Sequence, residues 1–399
     1  MKKVKIIVTI VVILLVLAGG AFAAAITIKR EKPEIEVTIL EKLNIVGKKI
    51  LATGNGRCNL SNFVIKEECY NGDHEIIHTV LDDFDAVGAL EFFNSLGLKI
   101  RDEEGRLYPY SMNASNVVAL LKREATNLGV IIKTDCKVET LDSDLTVNGK
   151  DKYDAVVLAV GGKAAPSQGT DGDGYKLLKN LGIKYHPITP ALVQVKVQED
   201  VKELKGVRFK GVLFLRDEDD DDTKPIKFQE GELLFTDYGI SGIPAMQLSG
   251  DIAQMTARGE KPLLNICFTP DLGLSDINEY LENQVDSGKV GPEILFGILN
   301  EKLAKYIYEK NSGDLNHIAL DIMSLEFTAI GTNGFKDAQV TRGGVGQDEL
   351  NDFSLMTKKV PNLFITGELL NVDGTCGGFN LHFAWGSGIK AGKEVANLA

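Results

Sequence analysis

Apolar residues change their period several times along this chain, and each change marks an element. Ile35–Leu40 alternates only partly and is rich in β-branched residues, which predicts a strand buried in a parallel sheet. Asp82–Leu96 carries Phe84, Val87, Leu90 and Phe93 at helical spacing, with Gly97 placed to end the helix. Ser115–Leu128 repeats that pattern and stops at Gly129. Val130–Thr134 and Cys136–Leu141 read as strands. Ala155–Val160 is a continuous apolar run that meets Gly161-Gly162. This predicts a strand reaching a turn at the carboxyl edge of a sheet, where open α/β folds bind ligands.

The texture changes after Pro187. Ala191–Val197, Val207–Leu215 and Ile226–Phe235 read as antiparallel strands joined by polar turns, and Ser275–Glu282 and Pro292–Lys310 as helices. Val360–Thr366 then predicts a last strand and Leu381–Asn397 a last helix. The pattern gives an α/β domain in two pieces, residues 1–187 and 331–399, interrupted by a mainly antiparallel β (α+β) domain at 188–330.

The N-terminus supports two incompatible readings. Ile6–Ile26 is a 21-residue stretch without a charge, long enough to span a bilayer as a helix. It includes Ala21-Phe22-Ala23, an A-x-A-like cleavage pattern, and lysines or arginine flank it on both sides. The other reading is the start of a dinucleotide-binding unit. Ile13–Leu17 is then a strand, Ala18-Gly19-Gly20-Ala21 the turn, Ala23–Ile26 part of a helix, and Ile35–Leu40 the second strand. Glu41 follows Gly20 by 21 residues, close to the offset of a ribose-binding acid. Of the three fingerprint glycines only Gly20 is kept, because Ala18 and Ala23 hold the outer places. Localisation follows the choice: cytoplasmic, or membrane-anchored through residues 6–26.

With 399 residues, 44% hydrophobic and 25% charged, the chain is an ordinary globular protein able to bury a sizeable core. A net charge of −12 argues against a nucleic-acid partner, which needs Lys and Arg to neutralise phosphates. Part of that charge is the run Asp217–Asp222, which lacks the spaced ligands and turn glycine of a calcium loop. The five cysteines are scattered, without disulfide or metal-ligand spacing, and fit a reducing compartment. No metal site is expected.

Two glycine-rich segments carry the candidate chemistry, Gly47–Asn62 and Gly367–Leu381. In the first, Gly54 and Gly56 stand among Lys48, Lys49, Thr53, Arg57, Cys58 and Asn59, a mixture of backbone N–H groups, cations and amides suited to a pyrophosphate or a flavin oxygen. In the second, Gly367-Glu368 ends a strand and Gly377-Gly378-Phe379-Asn380-Leu381 opens a helix, whose free N–H groups favour negative charge. Cys58 and Cys376 sit inside these loops, as redox groups or as small fillers.

The segments L-E-K at 40–42, G-K-K-I-L-A-T-G-N-G-R-C-N-L-S-N at 47–62 and G-R-L-Y-P-Y-S at 105–111 occur in order with four more. These are A-V-G-G-K at 159–163, G-D-G-Y at 172–175, L-F-T-D-Y-G-I-S-G at 234–242 and Q-V-T-R-G-G-V at 339–345. From about Val37 to the C-terminus the chain resembles the BaiN-type (YhiN-like) family of NAD(P)/FAD-dependent oxidoreductases. The resemblance implies a discontinuous Rossmann-like FAD-binding domain with an inserted substrate domain. It implies FAD held by Gly19, Gly20, Glu41, Lys49, Thr53, Gly54, Gly56, Arg57, Cys58, Asn59, Gly161, Gly162, Gly367, Glu368 and 377–381, with Val138 passing near the adenine. Hydride transfer to or from a small or steroid-like organic substrate follows, with NAD(P)H as a candidate transient reductant.

Candidate proton donors are few. His382 follows the second loop and Tyr238 lies in the insert, while His74, His78, His186 and His317 show no catalytic spacing. No catalytic residue is assigned, and the hard chemistry belongs to the cofactor. The degraded fingerprint and the apolar N-terminus motivate a competing reading, a membrane-anchored, flavin-free relic acting as a binding or scaffold protein.

Overall fold

The computed structural model describes residues 9–14, 18–217 and 225–398. The chain divides into two compact units. One runs up to Ile188 and resumes at Val340, and the other is Thr189–Gln339.

The first unit is built on five parallel strands. β1 (Thr9–Leu14) lies at the centre, between β2 (Glu36–Glu41) and β4 (Ala155–Ala159), and β3 (Ile131–Lys133) and β5 (Leu363–Ile365) form the edges. The chain walks from β1 to β3 in one direction and then returns to β4 on the other side of β1. That reversal opens a crevice at the carboxyl ends of β1 and β4, the position where doubly wound sheets bind ligands. Register aligns Leu14 with Glu41 and with Ala159, so three strand ends share one edge.

The N-terminus therefore follows the dinucleotide-unit reading, with corrections. The strand is Thr9–Leu14 rather than Ile13–Leu17. Helix α1 covers Ala18–Glu31, so Gly19 and Gly20 lie in its first turn and not in a preceding loop. Residues 15–17 fall outside the described residues. Among the described residues no helix is long and apolar enough to cross a membrane. Hydropathy misled here because α1 and β1 sit at the centre of the unit. From Ala21 to Ile28 every side chain of α1 is buried.

The C-terminal helix, α7 (Phe379–Ala396), packs along α1. Small residues permit the approach: a Cβ on Gly388 would lie 2.0 Å from the Gly20 carbonyl oxygen, and one on Gly20 would lie 2.7 Å from that of Ala384. Trp385, fully buried, donates its indole N–H to the Leu60 carbonyl at 3.0 Å and locks α7 against the loop that follows α2 (Lys48–Ala52).

Elsewhere the first unit departs from the pattern in two places. The helix expected over 82–96 starts later, as α4 (Ala86–Ser95), because the Asp85 carboxylate accepts from the Gly88 N–H and caps it there, and a helix not expected, α3 (His74–Leu81), precedes it. Helix α5 (Ala114–Asn127) agrees with expectation, but Cys136–Leu141 is not a strand. Its amides serve loops instead, as where Asn148 accepts from Glu139 and Thr140. After β4 comes α6 (Asp173–Asn180).

The second unit is a closed six-stranded antiparallel barrel, ordered Val195–Val197, Gly239–Gly242, Lys227–Phe235, Arg208–Asp217, Pro262–Cys267 and Leu325–Thr332. Inward residues such as Leu213, Leu215, Leu233, Leu264 and Phe327 join helix Ile243–Ala257 in a core of its own. The expected helix at 292–310 is a short 3₁₀ turn followed by Glu301–Lys310. The unit reaches Gln339 rather than 330, since Leu325–Thr332 closes the barrel and Gln339 donates back to the Leu192 carbonyl. Most of the acidic run lies outside the described residues.

Candidate active site

Glu41 ends β2 with its carboxylate 1% exposed, held by the Leu43 N–H at 2.9 Å. Loss of water pushes its pKa up to about 7. Its backbone carbonyl accepts from Cys136, which brings the segment carrying buried Val138 beside it. The next residue, Lys42, turns away to Asp173 at 3.1 Å.

Gly20, Ala159, Gly161, Thr366, Gly367, Glu368 and Ala384 line the crevice at the strand ends. Glu368 lies buried there with one oxygen on the Lys49 ammonium at 2.8 Å and the other accepting from the Thr341 N–H at 2.8 Å. Lys49 was expected to meet a phosphate or flavin oxygen; its charge instead neutralises Glu368. The Gly162 carbonyl accepts from Thr170, and Thr341 Oγ1 accepts from Lys163 and Ala164, which fixes the turn after β4.

The start of α7 is the third component. Gly378 has φ +99°, and a Cβ there would lie 2.6 Å from the Ser61 carbonyl and 2.7 Å from Asn59 Oδ1. No side chain caps the helix. Among the described residues Asn59 Oδ1, beside Gly378, is buried with no hydrogen-bond partner. A buried acceptor left unmade costs about 1–3 kcal/mol, so such an atom marks a missing donor. Asn380, expected at the cofactor, is occupied otherwise: its amide bonds both ways to Gly374, at 2.8 and 2.7 Å. Phe379 packs edge-on against Tyr70, whose hydroxyl donates to the Phe379 carbonyl, and Leu381 is buried. Asn62 Nδ2 reaches the Gly377 carbonyl at 3.0 Å.

The loop at 53–58 is largely self-contained. Thr53 Oγ1 donates to Ile50, and Arg57 Nε donates to the carbonyl of Gly54 at 3.1 Å. Gly54 and Gly56 shape this turn. The Arg57 guanidinium stands 5.1 Å from the Tyr108 ring centre, away from the residues lining the crevice. Burial pushes the Cys58 thiol up to about 12 and that of Cys376 to about 11, so neither is a thiolate at neutral pH and both act as fillers.

His382, a candidate proton donor, is fully buried, with Nδ1 at 2.8 Å from Ser61 Oγ and Nε2 at 3.0 Å from the Phe84 carbonyl. Burial lowers its pKa to about 4. The carbonyl can only accept, so Nε2 carries the hydrogen and Nδ1 accepts from Ser61, a neutral structural imidazole. In the second unit, Tyr238 accepts from Asn333 at 2.9 Å. His74 and His78, one turn apart on α3, share the Glu67 carboxylate at the surface. Among the described residues no group of three such side chains is placed to hold a metal.

Sequence reasoning missed the buried pair Arg342–Asp373, bonded at 2.9 and 3.1 Å and joined by Asn71 at 3.3 Å. Its one signal was Arg342 inside Q-V-T-R-G-G-V, a charge among small and apolar residues. The residues present fit a flavin dinucleotide: an acid at the end of β2, a glycine-lined crevice, an uncapped helix and a buried acceptor beside it.

The family model for the HI0933-like protein Rossmann domain matches residues 11–394. A 3-dehydro-bile acid delta(4,6)-reductase of Clostridium scindens is 37% identical, over 96% of this chain and 98% of its own. A ribosomal RNA dihydrouridine synthase of Escherichia coli is 26% identical, over 95% and 96%. In fold, the chain is similar to a 3-ketosteroid delta1-dehydrogenase from Sterolibacterium denitrificans, with TM-score 0.50, 12% identity, and 98% and 99% of the two chains covered. The chain thus belongs to the HI0933-like family and is a FAD-dependent oxidoreductase on a Rossmann-like fold.

Proposed function

We propose that this enzyme reduces a carbon–carbon double bond conjugated to a ketone in a steroid-like molecule, with NAD(P)H as the source of electrons. The observation that carries the placement of the cofactor is the unpaired Asn59 Oδ1 beside the uncapped N-terminus of α7. The substrate class rests on the Clostridium scindens relative. A flavin bound there would supply hydride to the substrate's β-carbon, with the proton at the α-carbon coming from water.

The chain's own groups would do the positioning. The α7 N–H groups and dipole favour negative charge at that end of the crevice, and Asn59 Oδ1 accepts from an N–H donor. Glu41, near half-ionised at neutral pH, accepts from a ribose hydroxyl. The backbones of Gly20, Gly161 and Gly367 would form the walls, with Val138 towards the adenine side. The Lys49–Glu368 pair holds two walls together without offering a free charge to the phosphates.

A second reading, reduction of a uracil ring in RNA, draws on the Escherichia coli relative. The net charge of −12 weighs against an RNA partner. The deciding experiment is an anaerobic half-reaction. Protein reconstituted with FAD and chemically reduced is mixed with a 3-keto-4,6-diene steroid or with an unmodified uridine-bearing rRNA fragment. The steroid should restore the oxidised flavin spectrum and the RNA should not. Reoxidation by RNA alone, or no flavin retained after reconstitution, would refute the proposal.

A further inference from the structure

A second pocket of about 400 Å³ opens on the same unit, lined by Arg57, Glu103, Glu104, Arg106 and Tyr108. None of these residues lines the crevice. The hairpin of Ile100–Glu103 and Arg106–Pro109 supplies four of the five, and its inner strand pairs with Ser61–Asn62. In that register Arg106 stands opposite Asn62, whose side chain holds the Gly377 carbonyl. Its charge is felt at the neighbouring Cys376 thiol, which it pulls down against the effect of burial. The pocket thus borders the turn that opens α7.

The charges in the pocket are unevenly matched. Glu103 stands opposite Arg106 in the hairpin register but makes its ion pairs with two other arginines, Arg57 at 3.9 Å and Arg101 at 3.5 Å. Glu104, in the hairpin turn, is exposed, and a solvated carboxylate contributes little to the field inside a pocket. Arg106 is only partly exposed, and among the described residues no ion pair or side-chain hydrogen bond engages its guanidinium. A partly desolvated cation without an anion is unfavourable unless a ligand supplies one. Arg57 is pre-oriented by the Gly54 carbonyl and the Tyr108 face, which lowers the ordering cost of a second contact.

We propose that this pocket recognises an anionic oxyacid group, carboxylate or phosphate, with Arg106 as its ion-pairing residue and Arg57 as a second donor. The group belongs to a molecule whose reacting part lies at the start of α7, so the inference rests on the function proposed above. Two sources carry that chemistry: an acid tail on the steroid-like substrate, or the extra phosphate of NADPH over NADH.

Equilibrium titration calorimetry on the FAD-loaded protein separates them without turnover. Wild type and Arg106→Gln are titrated with cholate and its methyl ester, and with NADP⁺ and NAD⁺. For one pair the charged member should bind wild type about tenfold or more tightly than its partner, and Arg106→Gln should reduce that ratio to near one. Loss of the cholate preference assigns the pocket to the substrate acid, and loss of the NADP⁺ preference assigns it to the reductant. Arg106→Lys should keep part of the preference, and FAD retention should be unchanged in both variants. Equal ratios in wild type and Arg106→Gln, no preference in wild type, or loss of FAD from the Gln variant would each overturn the proposal. These outcomes stand apart from the flavin half-reaction, which tests reduction and not charge recognition.

Discussion

Removing the Lys49 ammonium would leave the Glu368 side chain in the crevice with the Thr341 N–H as its remaining donor. Breaking a buried pair from one side costs about 3–5 kcal/mol. Lys49→Met should lower the urea-unfolding free energy by that order, and adding Glu368→Gln should recover most of it. A single variant within about 1 kcal/mol of wild type would show that water already reaches the pair. Glu41 predicts a pH effect of definite sign. Its pKa is raised from 4.5 to about 7, so the folded state holds the proton more tightly than the unfolded chain. Its contribution is fully present below about pH 4.5 and is lost as pH rises to about 7, some 3 kcal/mol in all. Glu41→Gln should therefore be near neutral for stability at pH 5 and stabilising at pH 8, read from melts at both. His382, with its pKa lowered to about 4, slopes the other way as pH falls from 6.5. The place of Glu41 at the end of β2 was legible from its distance to Gly20. Lys49 and Glu368 were each legible as polar residues in a glycine loop, but not as partners, because 319 residues separate them. The orphaned Asn59 oxygen was invisible too, since it depends on which donors the fold leaves out.

At the scale of elements, α1 and α7 approach so closely at Gly20 and Gly388 that added volume there has nowhere to go. Gly388→Ala would set a methyl group 2.0 Å from the Gly20 carbonyl and should cost about 3 kcal/mol, with a lower Tm by calorimetry. Gly334→Ala, in open space, should leave the melt unchanged. Helices ending at glycines were legible: α5 stops where Gly129 takes a positive φ. The start of α4 was not, because apolar spacing includes Phe84 while one carboxylate, Asp85, caps the helix only after it. Cys136–Leu141 carried strand composition, yet its edge position gave it loop partners.

For the whole molecule, the apolar N-terminus is the deciding segment. A chain beginning at Ala24 would lack β1, the strand that joins β2 to β4. Such a truncation should be insoluble or lack a cooperative melt, and should retain no FAD; a folded, yellow truncation would contradict this sheet order. The division into two units was legible from the change of texture at Pro187, whereas barrel closure depends on Leu325–Thr332, which pairs with strands from the far side of the insert. The pairing of α1 with α7 also sets an order of events during synthesis. Residues 18–31 leave the ribosome early but cannot be covered until 379–396 have emerged, a wait of roughly 20–70 seconds at 5–20 residues per second. Throughout that interval the nascent chain shows a long uncharged segment to chaperones and to the membrane-targeting machinery. The same residues that hold the finished sheet together are thus the ones most exposed to mis-sorting before it exists.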